Sequence, residues 1–163
     1  MDTQTIEKAR HLIHKTRVMN LSVCQDGIPW SSPVYFVFHG YAFYFFSNAN
    51  SKHIIEAKGQ SKVAASIFHD SDQIERIFGF QMSGSISELT EKFQCIKLVK
   101  LYVAKFNFLK KVFGSQLIEN EKFFSEKFES RLYCFHPAQV YLSDNSGTST
   151  SGKRFEIKLQ AII

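Results

Sequence analysis

The stretch Phe43–Phe68, FYFFSNANSKHIIEAKGQSKVAASIF, sets a polar segment between two apolar runs. Tyr41–Phe46 is aromatic and Val63–Phe68 carries β-branched residues, so each run predicts a β-strand. The polar segment, Ser47–His53, holds hydroxyls, amides and cations, and the residues after it suit one or two helical turns. A two-residue hairpin turn needs none of these groups, so the segment predicts a loop and a short helix with a candidate ligand site.

Two more strands are predicted upstream of this stretch. Val18–Gln25 alternates between apolar and polar residues and ends at Asp26-Gly27, a tight-turn signal. Trp30–Phe38 follows as a second strand, in which Pro33 is admitted only at a sheet edge, a bulge or a position whose N–H no partner needs. With Tyr41–Phe46, these strands make an antiparallel meander.

Three strands are predicted downstream of Phe68. Ile77–Leu89 is the longest, and Gly79 and Gly84 within it indicate bulges or the close approach of another backbone. Leu132–Leu142 and Arg154–Ile162 are the last two.

Helices are predicted at the start of the chain and after the long strand. Thr5–Arg17 has an apolar stripe at helical spacing. A second helix begins with Thr90 as N-cap, buries Phe93 and runs to about Lys105, and residues 119–129 suit a further helix. Antiparallel strands with flanking helices predict an α+β protein built around a small barrel of six or so strands. At 163 residues, we expect one domain spanning 1–163.

Composition excludes several classes of protein. No run of ~18 apolar residues predicts a membrane span, and the charged N-terminus lacks a signal-peptide apolar region, so we expect a cytoplasmic protein without a membrane partner. The net charge of +5 suits an anionic ligand, whereas no nucleic-acid-binding motif occurs and we expect no nucleic-acid partner. The three cysteines show no CxxC pattern and the six histidines no HxH or HExxH pair, so we expect no metal site.

The order of three segments resembles a known family. IPWSSPVYFVF, FYFFSNANSKHIIEAKGQSKVAASIF and FGFQMSGSI follow one another as in the pyridoxamine-phosphate-oxidase-like split barrels that bind flavin mononucleotide (FMN), and PAQVYLSDNSGTSTSGKRFEI resembles a small branch of that superfamily. The resemblance covers essentially the whole chain. It implies a six-stranded antiparallel split β-barrel and a homodimer that holds FMN in clefts between its subunits.

The resemblance also implies a phosphate site in the polar segment. Ser47, Asn48, Ser51 and Lys52 lie where the family has a T-N-x-x-S-R-K segment, and His53 takes the place of its second cation. A phosphate is bound by hydroxyl donors, a cation and a helix N-terminus. Ser51 would cap the helix and Lys52 would act as a point charge. From the residues alone, a capped helix with Lys52 in solvent explains the same pattern.

Further family positions imply contacts with the flavin ring. Backbone groups of Ser32, Pro33, Val34 and Tyr35 would line the ring, although Ser32 stands near a phosphate-binding arginine of the oxidases, which implies weaker phosphate binding here. Gln81 resembles a glutamine that hydrogen-bonds the ring. An alignment shifted by two residues puts Gly79 at that position instead, and both residues lie on the same side of the strand.

Two positions near the C-terminus correspond to residues that the second subunit places on the flavin in the oxidases. Arg154 resembles an arginine that the second subunit places on the flavin, whereas Leu142 replaces the tryptophan that accompanies it in the oxidases. The substrate-binding positions of the oxidases are not evident in the last strand, so the resemblance does not extend to the pyridoxamine-phosphate reaction.

The resemblance leaves the activity open. We expect an FMN-dependent oxidoreductase that passes a hydride or electrons from a nicotinamide donor, NAD(P)H, to a small organic acceptor. Three alternatives remain: a flavin carrier or sensor without catalysis, a haem-binding relative on the same barrel, and a dimer that holds no cofactor.

Overall fold

Eight strands form one antiparallel sheet in this computed structural model, which describes residues 3–58, 62–113, 126, 129–146 and 153–162. The sheet order is β2-β1-β5-β6-β7-β4-β3, and β8 pairs with β7 beside β4. The strands are β1 Val18–Gln25, β2 Ile28–Tyr35, β3 Val37–His39, β4 Ala42–Asn48, β5 Val63–Phe68, β6 Phe78–Glu88, β7 Ser130–Asp144 and β8 Lys153–Glu156. The predicted α+β split barrel is confirmed.

The helices pack on two sides of this sheet. They are α1 Thr3–Lys15, α2 Lys52–Ala57, α3 Lys92–Lys105 and α4 Asn107–Phe113, with short 3-10 turns at Ile74–Arg76 and Leu159–Ala161. The helix predicted at residues 119–129 falls almost entirely outside the described residues.

The barrel was predicted with six strands and the sequence offered seven strand segments, whereas the sheet has eight strands, because one predicted segment forms two. Trp30–Phe38 breaks at Phe36, whose backbone N–H turns away to the carbonyl of Arg17 at 3.1 Å. The half before Phe36 pairs with β1 and the half after it pairs with β4, at the opposite edge of the sheet. The last predicted strand, Arg154–Ile162, is shorter than expected: β8 ends at Glu156, and the chain then turns into the 3-10 segment rather than continuing to Ile162.

The curled sheet encloses a barrel core of aromatic side chains, which α1 and α2 close with apolar residues such as Leu12 and Ile54. Phe36, Phe43, Phe45 and other residues of this core are fully buried. Burial of an aromatic side chain is worth about 1.5–3 kcal/mol. The aromatic runs of the sequence therefore provide much of the apolar surface that closes the barrel.

A second, outer core lies between α3, α4 and the outward face of β3, β4 and β7. Leu98, Tyr102 and Phe106 pack there against Tyr44 and Cys134. No described residue of β1, β2, β5 or β6, nor of the second half of β7 around Tyr141, belongs to this cluster, so apart from Tyr35 at the end of β2 the outward face of these strands is not covered by α3. We call this uncovered surface the open face.

Two predictions about α3 were wrong. Its N-cap is Glu91 rather than Thr90, because the Glu91 carboxylate accepts hydrogen bonds from the backbone N–H groups of Phe93 and Gln94, at 2.9 and 2.6 Å. Phe93 is 81% exposed, because the outer core is reached by the helix face that carries Leu98 and Tyr102 instead.

Both strand glycines lie where a side chain does not fit. The register of β6 against β7 shifts at Ser83/Gly84, and a Cβ on Gly84 would overlap the carbonyl oxygen of His136. A Cβ on Gly79 would lie 2.9 Å from the carbonyl oxygen of Ile67. The predicted bulge and close approach are confirmed, and Pro33 lies on the edge strand β2, where its missing N–H is tolerated.

We predict that Gly84→Ala destabilises the protein by about 1–3 kcal/mol, because the added methyl group meets rigid backbone and the strands must separate. Ser83→Ala is the matched control on the exposed side of the same bulge, and we expect it to change stability by less than about 0.5 kcal/mol. Urea denaturation of both variants measures the difference in the free energy of unfolding. Equal values for the two would contradict the close contact at Gly84.

Candidate functional site

The end of β4 and the start of α2 form a hydrogen-bonded group, which we call the β4–α2 cluster: Ser47, Asn48, Ser51, Lys52 and His53. Ser51 Oγ donates to the Asn48 carbonyl at 2.6 Å, Ser47 Oγ lies 2.8 Å from Ser51 Oγ, and His53 Nε2 lies 2.9 Å from Ser47 Oγ. Each hydroxyl has one proton, so the order of donors follows: His53 Nε2–H to Ser47, Ser47 to Ser51, and Ser51 to the carbonyl.

This chain of hydrogen bonds corrects one prediction. Ser51 is the N-cap residue by its extended backbone, but its side chain makes no capping hydrogen bond to the helix. Its hydroxyl points back to Asn48, because that carbonyl also accepts the Ser51 N–H and closes a tight turn. The serines of this segment therefore stabilise the loop before α2 rather than the helix itself.

His53 is a buried and neutral member of the cluster. Its side chain lies against the barrel, and burial lowers the pKa of its imidazole below the usual value of 6.5. Neutral His53, with its proton on Nε2, donates a hydrogen bond to Ser47 Oγ. At neutral pH it therefore supplies no positive charge at the position where the family has its second cation.

Lys52 reaches from the cluster to β2. Its ammonium lies 2.5 Å from Glu56 Oε1 and 5.3 Å from the centroid of the Trp30 ring, and the Trp30 indole N–H donates to Ser32 Oγ at 2.9 Å. The side chain of Lys52 is 46% exposed, whereas that of Glu56 is 9% exposed. Trp30 thus joins Ser32 to Lys52 and places both beside the β4–α2 cluster.

The charges around the cluster cancel. Lys52 is paired with Glu56, whose second oxygen is buried without a hydrogen-bond partner, and His53 is neutral. A phosphate still fits the donor set. One of the three N–H bonds of Lys52 is directed at Glu56, which leaves two for a ligand, and hydroxyl protons rotate at low cost. The affinity for phosphate is lowered, because the hydroxyls must leave their internal partners and no net positive charge attracts the anion.

The other predicted residues do not join the β4–α2 cluster and lie in different parts of the fold. Val34 is buried in the barrel core, so its side chain is not available to a ligand. Tyr35 projects outward and packs edge-on against Phe106, with ring centroids 5.3 Å apart, while its carbonyl accepts a hydrogen bond from the Tyr102 hydroxyl. Arg154 is exposed on β8, opposite Ser143.

Pro33 and Gln81 lie in one row across the open face. The register pairs Pro33 with Asn20, Asn20 with Ser66, Ser66 with Gln81, and Gln81 with Tyr141. Pro33 and Gln81 are three strands apart, about 14 Å. The β4–α2 cluster contacts β2 on the face of the strand opposite to Pro33, through Trp30. A ligand that touches both groups therefore has to cross the edge strand β2.

Sequence reasoning missed Trp30 and Glu56. Both carried a readable signal: Trp30 is the only tryptophan and stands two residues before Ser32, and Glu56 follows Lys52 at the i, i+4 spacing of helical ion pairs. No group of three or more His, Cys, Asp or Glu side chains that could hold a metal ion occurs among the described residues.

We predict that acid weakens the fold through His53. Below pH 6.5 the unfolded chain takes up a proton on this side chain while the folded protein, whose His53 pKa is lowered, does not. Stability is then lost as the pH falls from 6.5 to the folded pKa, by at most about 1.4 kcal/mol per pH unit. Urea denaturation at neutral and mildly acidic pH should show a smaller loss in His53→Gln than in the unaltered protein.

Exposed His136 provides the matched control for this measurement. His136→Gln should keep the full loss of stability in acid. His14, whose pKa burial also lowers, explains a slope that remains in His53→Gln. An identical slope in His53→Gln and the unaltered protein would show that His53 does not titrate as its burial requires.

The sequence and the fold are similar to those of known proteins. Residues 5–144 match the family model of pyridoxamine 5'-phosphate oxidase, whereas no curated protein matches the sequence significantly. The structure is similar to a heme binding protein from Mycobacterium smegmatis, with a TM-score of 0.70 at 14% identity. That match covers 99% of this chain and 61% of the mycobacterial chain, so this chain spans less than two thirds of that relative's length.

Two further relatives share the fold. HutZ, the heme storage protein of Vibrio cholerae, has a TM-score of 0.61 at 14% identity, over 82% of this chain and 90% of its own. An FAD-binding protein from Mesorhizobium loti has a TM-score of 0.56 at 17% identity, over 87% of this chain and 94% of its own. No described helix is long and apolar enough to cross a membrane. The match over residues 5–144 shows that the chain belongs to the pyridoxamine 5'-phosphate oxidase family, on a split-barrel fold.

Proposed function

We propose that this protein binds FMN between two copies of the chain and uses it in redox chemistry on a small organic substrate. The observation that carries the proposal is the half-exposed ammonium of Lys52, which lies over Trp30 and beside the hydroxyls of the β4–α2 cluster. Membership of the family and the shared fold with an FAD-binding protein support the flavin as the ligand.

The open face supports the homodimer. Its central row carries small or uncharged side chains, among them Asn20, Ser66 and Gln81, and its exposed aromatic residues include Phe68 and Tyr141. A face of such uncharged side chains is suited to burial against an identical face, and apolar groups exposed together mark interaction surfaces. A ligand that crosses β2 would then lie at the margin of the interface, where Arg154 of the second copy would reach it.

FMN, when bound, supplies the transfer of a hydride or electrons at its ring. The residues of this chain would bind and orient it. Lys52 and the serines would hold the phosphate, and the row from Pro33 to Gln81 would offer hydrogen bonds to the polar edge of the ring. NAD(P)H is the reductant that this chemistry calls for. A flavin carrier differs from an enzyme by turnover: reduction by NAD(P)H with rapid reoxidation by an organic acceptor identifies the enzyme.

We predict that Lys52→Ala weakens FMN binding by about 1–3 kcal/mol, because a charge-assisted contact with the phosphate is lost. Riboflavin lacks the phosphate, so its affinity should change little. The ratio of the two affinities, measured by quenching of flavin fluorescence, separates this loss from any change in folding. Lys58→Ala, at the other end of α2, is the matched control and should leave both affinities unchanged.

Two results would contradict the proposal. An FMN affinity that Lys52→Ala leaves unaltered would remove Lys52 from the site. A protein that sediments as a monomer when saturated with FMN would exclude a cleft between two copies.

Haem is the second candidate ligand, because two proteins with this fold are named as heme binding and heme storage proteins. His53 is closed to an iron, since its Nε2 is bonded to Ser47 and its side chain is buried. His136 is exposed on β7 and is the better ligand.

We predict that, if haem is the ligand, hemin produces a Soret band that His136→Ala shifts or removes. His69→Ala, which alters an exposed histidine of the β5–β6 loop, is the control and should leave the band unchanged. Absence of a stoichiometric Soret band on titration with hemin would eliminate this candidate.

A further inference from the structure

A cavity of about 560 Å³ lies between α1, the β5–β6 loop and the end of β7. Its lining includes Lys8, Leu12, Arg76, Phe78, Asp144 and Ser146. Pockets that bind small molecules in proteins have volumes of about 300–1,000 Å³, and this cavity falls within that range. It shares no residue with the β4–α2 cluster or with the row from Pro33 to Gln81.

Hydrogen bonds hold together the elements that surround the cavity. Lys8 Nζ donates to Ser146 Oγ at 2.8 Å and so joins α1 to the residues after β7. Phe78 is paired with Asp144 in the β6–β7 ladder, and the His69 N–H donates to the Phe78 carbonyl at 2.9 Å. These contacts need no ligand, so the cavity is a feature of the fold itself.

Asp144 presents a carboxylate without a cationic partner to this cavity. The residue is only 8% exposed, and its Oδ1 accepts a hydrogen bond from the Ser146 N–H at 2.8 Å. Among the described side chains, none forms an ion pair with Asp144, and Lys8 donates to Ser146 instead. A buried carboxylate normally has a cationic partner and can accept several hydrogen bonds. The ammonium group of a ligand supplies both.

Arg76 carries the matching cation on the same wall. It ends the 3-10 turn Ile74–Arg76 and lies two residues before Phe78, the ladder partner of Asp144. Arg76 is exposed, and no carboxylate among the described side chains pairs with it. Its guanidinium offers a planar pair of donors that matches the two oxygens of a carboxylate. The wall therefore offers a ligand one group for an ammonium and one for a carboxylate.

The charged groups of the lining also favour a ligand without net charge. Glu7 is already paired, since its carboxylate lies 2.6 Å from the guanidinium of Arg10. The charges that remain are those of two cations, Lys8 and Arg76, and two carboxylates, Glu75 and Asp144. With the two histidines of the lining neutral, these charges sum to zero, so a molecule that carries both signs complements the cavity better than a simple anion or cation.

We propose that this cavity binds a free amino acid with an apolar side chain. The ammonium of the amino acid contacts Asp144 and its carboxylate contacts Arg76, both through charge-assisted hydrogen bonds. Its side chain packs on Leu12 and Phe78, which are buried and apolar. The proposal depends neither on the flavin nor on any residue of the flavin site proposed above.

Calorimetric titration of the full chain with three related compounds tests the proposal. L-phenylalanine carries both charged groups, whereas phenethylamine lacks the carboxylate and hydrocinnamate lacks the ammonium. Each analogue loses a charge-assisted hydrogen bond, so we expect its dissociation constant to be about tenfold or more above that of L-phenylalanine.

Two variants assign each charge of the ligand to a side chain. Asp144→Asn, whose amide oxygen still accepts the Ser146 N–H, should weaken L-phenylalanine and phenethylamine about tenfold or more without weakening hydrocinnamate. Arg76→Gln should weaken L-phenylalanine and hydrocinnamate but not phenethylamine. Asp72→Asn and Arg131→Gln remove the same charges outside the lining and are the matched controls, which should change none of the three affinities.

Three outcomes would overturn the proposal. If neither L-phenylalanine nor L-leucine binds at millimolar concentration, the cavity does not hold an amino acid. Equal affinities for the three compounds would reduce the binding to a contact with apolar surface. Losses of equal size for all three compounds in Asp144→Asn would show a change in folding rather than a lost contact. Each of these results is independent of whether FMN binds at the β4–α2 cluster.

Discussion

A single residue, Phe36, connects two strands that lie at opposite edges of the sheet, and this connection imposes the barrel. One residue spans less than 4 Å, so the edges carrying β2 and β3 must meet at that point and the sheet must curl. No ladder joins β2 to β3, which leaves the barrel split. The Phe36 side chain is fully buried and fills the interior that the curling creates. The same residue therefore closes the barrel and occupies its core.

This closure also determines which charged and aromatic side chains come into contact. It brings β2 beside the end of β4, so that Trp30 contacts Lys52, and it brings the Lys105 ammonium over the Phe36 ring. The two lysines differ in the groups that surround their ammonium. Lys52 has a carboxylate within its own helix, whereas the ammonium of Lys105 lies over the ring of Phe36.

Much of the sheet was predictable from local signals. β1 and β5 have the predicted bounds, because their alternation and turn residues are properties of adjacent positions. Gly84 marked its bulge because only glycine fits beside the His136 carbonyl. The break at Phe36 was not predictable, since a continuous apolar run looks the same whether it pairs with one neighbour or with two. The direction of the Ser51 hydroxyl was likewise hidden, because helix N–H groups and a nearby carbonyl compete for it at similar cost.

By itself the sequence determined the family, the strand-rich composition of the barrel and the presence of a donor-rich segment between β4 and β5, since each is written in residue types and their order. Only the tertiary structure decided which donors are free. Hydrogen bonds and ion pairs form between residues that folding brings within a few ångströms, and these contacts occupy the serines, neutralise His53 and pair Lys52 with Glu56. Burial acts in the same way on Lys105, which lies over the ring of Phe36, a residue distant in the chain.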